Sequence, residues 1–212
     1  ADILVAVAVV TFIATVWAIC LLPDALLRLI LVMVAHTLYR VRITGAEKVP
    51  ETGGAMLVPN HVSLLDGLLL LAVTNRQIRF VVEQHWYERP LLKPFMKALG
   101  VIPISATGGP RLVLRALRDA GHALDDGEVV CLFAEGEITR MGSTLPFRGG
   151  FQRIVKGRNA PVIPIHLDRV YSSLGSLRQG RMQWLPNKIP CPVTVSFGDP
   201  MPNTARPEEV RT

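Results

Sequence analysis

Cysteine is scarce. Cys20, Cys131 and Cys191 are the only ones in 212 residues, too few and too scattered for a disulfide framework or a paired metal spacing. A reducing compartment is the simpler expectation, with Cys131, inside the apolar run Val129–Phe133, acting as a small buried hydrophobe. Aromatics make up only 6% of the chain. No zinc-finger spacing, recognition-helix pattern or aromatic-rich basic strand occurs, so nucleic acid is the weakest candidate partner. His-Glu-x-x-His, Gly-x-Ser-x-Gly and a cofactor-binding glycine loop are missing too. No metal and no cofactor is implied, and a serine-elbow hydrolase loses its nucleophile. There are no repeats and no low-complexity segment.

Apolar residues, by contrast, are half of the sequence. Basic residues outnumber acidic ones 23 to 17, a net charge of +6, which suits an anionic partner: a membrane surface, a phosphate headgroup or an acidic carrier protein. The length fits about one domain with an appendage. The chain enters an apolar run directly after Ala1, without a methionine, and so reads as a piece of a longer polypeptide. Ile3–Leu22 runs for twenty residues without a charge, ~30 Å as a helix, the thickness of a hydrocarbon core. A membrane-spanning helix is expected there; a signal peptide fits poorly, since no basic leader precedes it. Pro23-Asp24 breaks the run. Ala25–Tyr39 reads as a second apolar helix, carrying Arg28 and His36, too short to span and expected to lie in the interface. Arg28, Arg40, Arg42 and Lys48 all follow the first run, which by the positive-inside bias places the remainder in the cytoplasm.

From Arg40 onward, short β-rich runs alternate with helical stretches. The pattern predicts one α/β domain over residues 40–212, a mixed and mostly buried sheet flanked by helices, behind the membrane-associated residues 1–39. Strands are expected at Arg40–Thr44, Ala55–Val58, Ile78–Val82, Gly100–Ser105, Val129–Phe133, Pro161–Leu167 and Pro192–Phe197. Helices are expected after Asp66, over Glu83–Leu99 with breaks at Pro90 and Pro94, over Pro110–Asp125 and over Phe151–Arg158. Trp86, Tyr87, Phe95 and Met96 either face lipid or pack in the core. Asp168–Pro190 reads as loop-rich, with basic Arg169, Arg178, Arg181 and Lys188.

One stretch carries chemistry: Asn60-His61-Val62-Ser63-Leu64-Leu65-Asp66, set between the apolar runs Ala55–Pro59 and Gly67–Val73. Along a continuous helix the step from His61 to Asp66 turns ~140°, so the two side chains would not share a face. They meet if the chain turns between them, with His61 just off a strand end and Asp66 in the first helical turn. A carboxylate on one ring nitrogen then fixes the tautomer and raises basicity, as a general base taking a proton from an alcohol requires. Ser63-x-x-Asp66 before an apolar run equally fits an ordinary helix N-terminus, with His61 a loop residue of no consequence.

Asn-His-x-x-x-x-Asp, as it stands at residues 60–66, resembles the first motif of the glycerolipid acyltransferase family, which includes lysophospholipid and 1-acylglycerol-3-phosphate acyltransferases. Phe133-Ala134-Glu135-Gly136-Glu137-Ile138-Thr139-Arg140 resembles that family's Phe-Pro-Glu-Gly-Thr-Arg block, with Ala134 for proline and the arginine displaced to Arg140. Pro161–Leu167 is similar to its fourth block. The arginine that ends its second block is absent around Ser105. More narrowly, Phe133–Arg158 resembles the acyltransferase domain of bacterial fusion proteins that join a lysophospholipid transporter, this acyltransferase and an acyl-ACP synthetase.

The resemblance implies transfer of a fatty acyl group from an acyl thioester, acyl-ACP before acyl-CoA, to the free glycerol hydroxyl of a lysophospholipid such as 2-acyl-glycerophosphoethanolamine. The alternative acceptor is 1-acylglycerol-3-phosphate. It implies a bacterial inner membrane with the catalytic domain on its cytoplasmic face, and as partners an acyl carrier protein, the lipid bilayer, and transporter and synthetase domains on the same longer chain. His61 would be the base and Asp66 its orienting group. Asn60, Glu135, Gly136, Thr139, Arg140, Arg148 and Pro164 would surround the substrates, Pro164 bordering the acyl site. Arg111 and Arg115 stand either as the missing phosphate-holding charge or as solvated helix residues. Arg148-Gly149-Gly150 fits an anion site or an ordinary tight turn, and His166 a strand-end residue. A hydrolase that turns the same His–Asp pair on water, and a non-catalytic lipid-binding module, are the rival readings.

Overall fold

The computed structural model describes residues 2–21, 24–171, 173–178, 181–183 and 189–211; Leu22, at the end of the expected span, and Lys188 lie outside the described residues. Two helices open the chain, α1 (Asp2–Leu21) and α2 (Asp24–Leu38). Among the described residues no helix is long and apolar enough to cross a membrane, which corrects the expected span over Ile3–Leu22. The side chains described in α1 run from Val5 to Trp17. Within that stretch the helix is apolar and exposed nearly all round.

α2 is one-sided. Ala35 is buried and Leu31 and Leu38 sit against the core, while Leu29 and Met33 face outward. Its Arg28 donates to the carbonyls of Thr74 and Asn75, just past the C-terminal end of α3 (Asp66–Val73). That contact draws α2 onto α3 and satisfies carbonyls a helix end leaves open.

The strands are β1 (Tyr39–Thr44), β2 (Ala55–Pro59), β3 (Ile78–Glu83), β4 (Ile102–Ile104), β5 (Val129–Cys131), β6 (Val162–Asp168), β7 (Leu177–Arg178), β8 (Arg181–Met182) and β9 (Cys191–Phe197). Seven of them form one sheet in the order β1-β9-β6-β2-β5-β3-β4, with β7 and β8 a separate pair. Every neighbour in the large sheet is parallel except β6 and β9, so the sheet is mixed, as the strand–helix alternation predicts. β2 is buried along its whole length, which is why its sequence is a continuous apolar run rather than an alternating one.

Alternate residues feed two cores. Ala55, Leu57, Cys131 and Ile163 point to the face covered by α2 and α3. Met56, Val58, Val130 and Val162 point to the other, covered by α6 (Pro110–Asp125) and α7 (Gly150–Val155). The expected helix Glu83–Leu99 is two short ones, α4 (Gln84–Tyr87) and α5 (Lys93–Ala98): Pro90 cannot continue a helix, and Pro94 fits only in a first turn. Tyr87 and Met96 pack against the core. A last turn, α8 (Pro207–Val210), closes the chain. β5 stops at Cys131, shorter than expected, because the chain then leaves the sheet to build the loop from Phe133 onward. β2 and β5 are parallel neighbours, so their C-terminal ends deliver His61 and Glu135 to the same sheet edge, the edge where α/β proteins place ligands.

Candidate active site

His61 is placed by the residue before it. Asn60 Nδ2 donates to the Leu167 carbonyl at 3.1 Å, and its Oδ1 accepts the Leu167 N–H at 2.7 Å. This side chain continues the β2–β6 ladder one step past Pro59 and ends the strand at a defined point. The chain then turns through Val62–Leu65 into α3, as the spacing requires.

Asp66 Oδ2 gathers that turn. It lies 2.9 Å from His61 Nδ1 and accepts the N–H groups of Val62 at 2.7 Å and Ser63 at 2.9 Å. Asp66 is fully buried, whereas 19% of the His61 side chain is exposed. The carboxylate therefore holds the ring and the ring reaches solvent. Phe133 stacks on the imidazole at 4.1 Å between centroids and 25° between planes, fixing the ring's tilt.

The stretch Phe133–Arg140 grips the His61 peptide from both sides. Its N–H donates to Glu135 Oε1 at 2.9 Å, and its carbonyl accepts the Thr139 N–H at 2.9 Å. Glu135 Oε2 accepts the Leu145 N–H at 3.0 Å. Glu135 is only 2% exposed; burial pushes its carboxyl up, opposed by the two backbone N–H groups. Gly136 turns the chain at φ +77°, a left-handed conformation that favours glycine. The Arg148 guanidinium lies against it: a Cβ there would be 3.1 Å from Arg148 Cζ. Arg148 is 4.0 Å from Glu137 and largely exposed. Arg140 is exposed as well, and its carbonyl accepts the Tyr171 hydroxyl at 3.1 Å.

The residues expected around the substrates thus divide. Asn60, Glu135 and Thr139 are buried, and the polar groups of the first two are taken up by backbone partners. They tie the His61 loop to neighbouring backbone, because each sits where a loop must be joined to a strand end. Gly136, Arg140 and Arg148 remain at the surface beside that loop. Pro164 pairs with Val58, roughly 10 Å back along the strands from His61 at ~3.3 Å per residue. There it lines a cavity of about 420 Å³ with Phe147, His166 and Met201, on the sheet face away from α3. Ser105 accepts the Gly108 N–H. Arg111 and Arg115 are exposed on α6, on the solvated alternative.

A second clamp escaped sequence reasoning. Ser63 Oγ donates to the Leu174 carbonyl at 2.8 Å, the Tyr39 hydroxyl donates to the same carbonyl at 3.3 Å, and the Leu64 N–H donates to Gly175. Burial pushes the Tyr39 phenol up to about 12, so it stays a neutral donor at physiological pH. Nothing in a lone tyrosine after a helix signals this. Cys131 is the buried hydrophobe expected; burial, then the Asp66 charge, push its thiol well up.

Residues 40–168 match the family model described as Acyltransferase. Curated relatives include a chloroplastic 1-acyl-sn-glycerol-3-phosphate acyltransferase of Arabidopsis thaliana, 27% identical over 177 residues, covering 81% of this chain and 48% of that protein. Another, from Brassica napus, is 28% identical over 133 residues, covering 62% of this chain and 38% of that protein. The chain thus spans less than half the length of these relatives. Among solved structures, the 1-acyl-sn-glycerophosphate acyltransferase of Thermotoga maritima aligns with a TM-score of 0.72 at 21% identity, over 95% of this chain and 83% of that one; the fold is shared.

Proposed function

The chain belongs to the acyltransferase family, and on that premise we propose that it moves a fatty acyl group from an acyl thioester to the free glycerol hydroxyl of a lysophospholipid. The observation that carries this is the 2.9 Å contact between His61 Nδ1 and Asp66 Oδ2, which leaves Nε2 as the nitrogen that exchanges protons with substrate. Asp66 keeps the neutral ring's proton on Nδ1. Nε2 takes the acceptor's hydroxyl proton as its oxygen attacks the thioester carbonyl. The tetrahedral intermediate collapses, the C–S bond breaks, and the sulfur leaves with the proton His61 gives back. A positioned base contributes about 10²–10⁴ in rate; holding hydroxyl and thioester together supplies much of the rest. A covalent acyl-enzyme is disfavoured nearby, since Cys131 is fully buried and Ser63 Oγ is engaged with Leu174.

Two acceptors draw on different observations. The names of the plant relatives favour 1-acylglycerol-3-phosphate. The serine at position 105, where the family resemblance leads one to expect a phosphate-holding arginine, favours a lysolipid with a larger headgroup, such as 2-acyl-glycerophosphoethanolamine. An acyl carrier protein as donor, companion transporter and synthetase domains, and a place on the cytoplasmic face of a bacterial inner membrane belong to the same proposal. The apolar, exposed α1 and the outward Leu29 and Met33 of α2 support lipid contact, because an apolar helix face that stays exposed needs an apolar surrounding.

The test crosses acyl-ACP and acyl-CoA with lysophosphatidic acid and lysophosphatidylethanolamine and follows the diacyl product by mass spectrometry. Product with at least one pair is expected. Thioester hydrolysis without any lysolipid would establish the hydrolase instead, and lipid binding without transfer a carrier module. Flotation with vesicles, comparing the chain with one lacking residues 1–21, checks lipid contact.

A further inference from the structure

We propose that the solvent face of α6 is a docking surface for an acidic protein that delivers the acyl thioester. Arg111, Arg115, Arg118 and His122 recur along α6 within an arc of ~60° at 3.6 residues per turn, and all four are exposed. Leu112 and Leu114 flank the stripe and are 45% and 46% exposed, although Ala116, Leu117, Ala120 and Leu124 bury the opposite side. On the neighbouring α7 Arg153 is exposed, as is Lys156 just after it. The acids on α6 are few and lie late: Asp119, 4.0 Å from Arg115, and Asp125, 3.0 Å from Arg158.

An ordinary solvated helix places acids in its first turn, where the dipole favours negative charge. α6 does the reverse. It has no acid in the first turn, no side-chain cap at Gly109, and Arg111 directly after Pro110. Cations set against the dipole, between two exposed leucines, are costly for the helix alone and suited to an anionic surface with an apolar centre.

The topology selects a protein over a bilayer. α6 covers one face of the sheet and α2 with α3 the other, so a membrane touching the apolar outer side of α2 lies across the sheet from this stripe. α6 also starts at the productive edge. β4, which leads into it, is three strands from β2 and runs parallel through β3 and β5. The loop before Arg111 therefore leaves the same edge as His61, ~14 Å across at about 4.8 Å per strand, within reach of a flexible thioester arm.

This inference rests on the thioester donor of the proposed function. Its test is the double variant Arg115→Glu/Arg118→Glu in the full chain. The donor is supplied either as palmitoyl-loaded acyl carrier protein or as palmitoyl-pantetheine, which has no protein part. The KM for the carrier-borne donor is expected to rise about tenfold, with pantetheine kinetics unchanged, and salt should weaken carrier use by the wild type only. Equal carrier use by both proteins overturns the proposal. Equal loss with both donors also overturns it, since the effect then lies in the site or the fold. Direct titration with unloaded carrier protein separates the two readings. Arg115- and Arg118-dependent binding without any turnover removes the acyl-transfer reading and keeps the docking face; no binding removes the face. Loss of binding to phosphatidylglycerol vesicles, with carrier binding intact, reassigns the stripe to lipid and overturns the proposal.

Discussion

The His61 N–H donates to Glu135 Oε1 at 2.9 Å while the other oxygen of that carboxylate accepts the Leu145 N–H at 3.0 Å. One buried side chain therefore ties the loop bearing the base to the loop leading into Arg148. If Arg148 meets the acceptor's phosphate, Glu135 sets the spacing between phosphate and hydroxyl.

Glu135→Gln presents an NH2 group to one of those two donors. A buried unsatisfied donor costs about 1–3 kcal/mol, and turnover is expected to fall with a rise in acceptor KM. Stability supplies a second readout. The folded carboxyl titrates above its ordinary value because of burial, so between the two values the native state binds more protons than the unfolded one. That component of stability is full below the ordinary glutamate value and is lost as pH rises through the folded one. The wild-type Tm minus the variant Tm should decline as pH rises above the ordinary glutamate value; a flat difference would contradict it.

His61→Ala should leave a folded protein, since the side chain is at a strand end and partly exposed. Acyl transfer is expected to drop ~10²–10⁴-fold with lysolipid binding retained. Near-normal turnover in the purified variant would end the general-base mechanism.

Asp66 separates activity from stability. Its Oδ2 takes all the hydrogen bonds, and its buried Oδ1 has no partner among the described residues. Asp66→Asn should lose ~10²–10⁴ in kcat through the wrong tautomer. Its Tm should fall less than that of Asp66→Ala, because the amide oxygen still accepts the Val62 and Ser63 N–H groups while its NH2 takes the buried Oδ1 position without an acceptor. Asp66→Ala should be inactive and lower in Tm, since the Val62 and Ser63 N–H groups lose their acceptor.

For the acceptor's phosphate, Arg140→Ala or Arg148→Ala should cost roughly one to two decades in acceptor efficiency, the worth of a charged hydrogen bond. Donor kinetics should change little. Gly136→Ala keeps the Arg148 charge, moves its guanidinium only slightly and strains a φ of +77°, so it should cost less acceptor efficiency than Arg148→Ala while lowering Tm. Steady-state kinetics with acceptor varied at saturating donor decide it; changes within about twofold for every variant place the phosphate elsewhere.

His61 and Asp66 were legible because strand, turn and helix signals follow one another in order, and only a turn lets that spacing meet. The sheet was legible for a similar reason: buried parallel strands read as unbroken apolar runs. Glu135 was legible as a carboxylate at a strand end, but not as a tie between loops. Which N–H groups a carboxylate meets depends on a crossing of segments far apart in the chain. The same limit hid Tyr39, whose partner Leu174 is brought to it by folding alone. The uncharged run at the N-terminus reads alike whether or not it crosses a bilayer.

Strand order has a consequence for how the chain is made. The sheet neighbour of β1 is β9, with Tyr39 opposite Cys191, so the sheet's first strand in chain order is among the last to be paired. During synthesis the apolar helices and an unpaired edge precede their own shelter, and parallel pairing at such separation is slow to form. A product terminated before Cys191 would keep His61 and Asp66 yet leave β6 a raw sheet edge and β1 with no neighbour to pair with. Such a fragment is expected to be cleared or to aggregate before it could work.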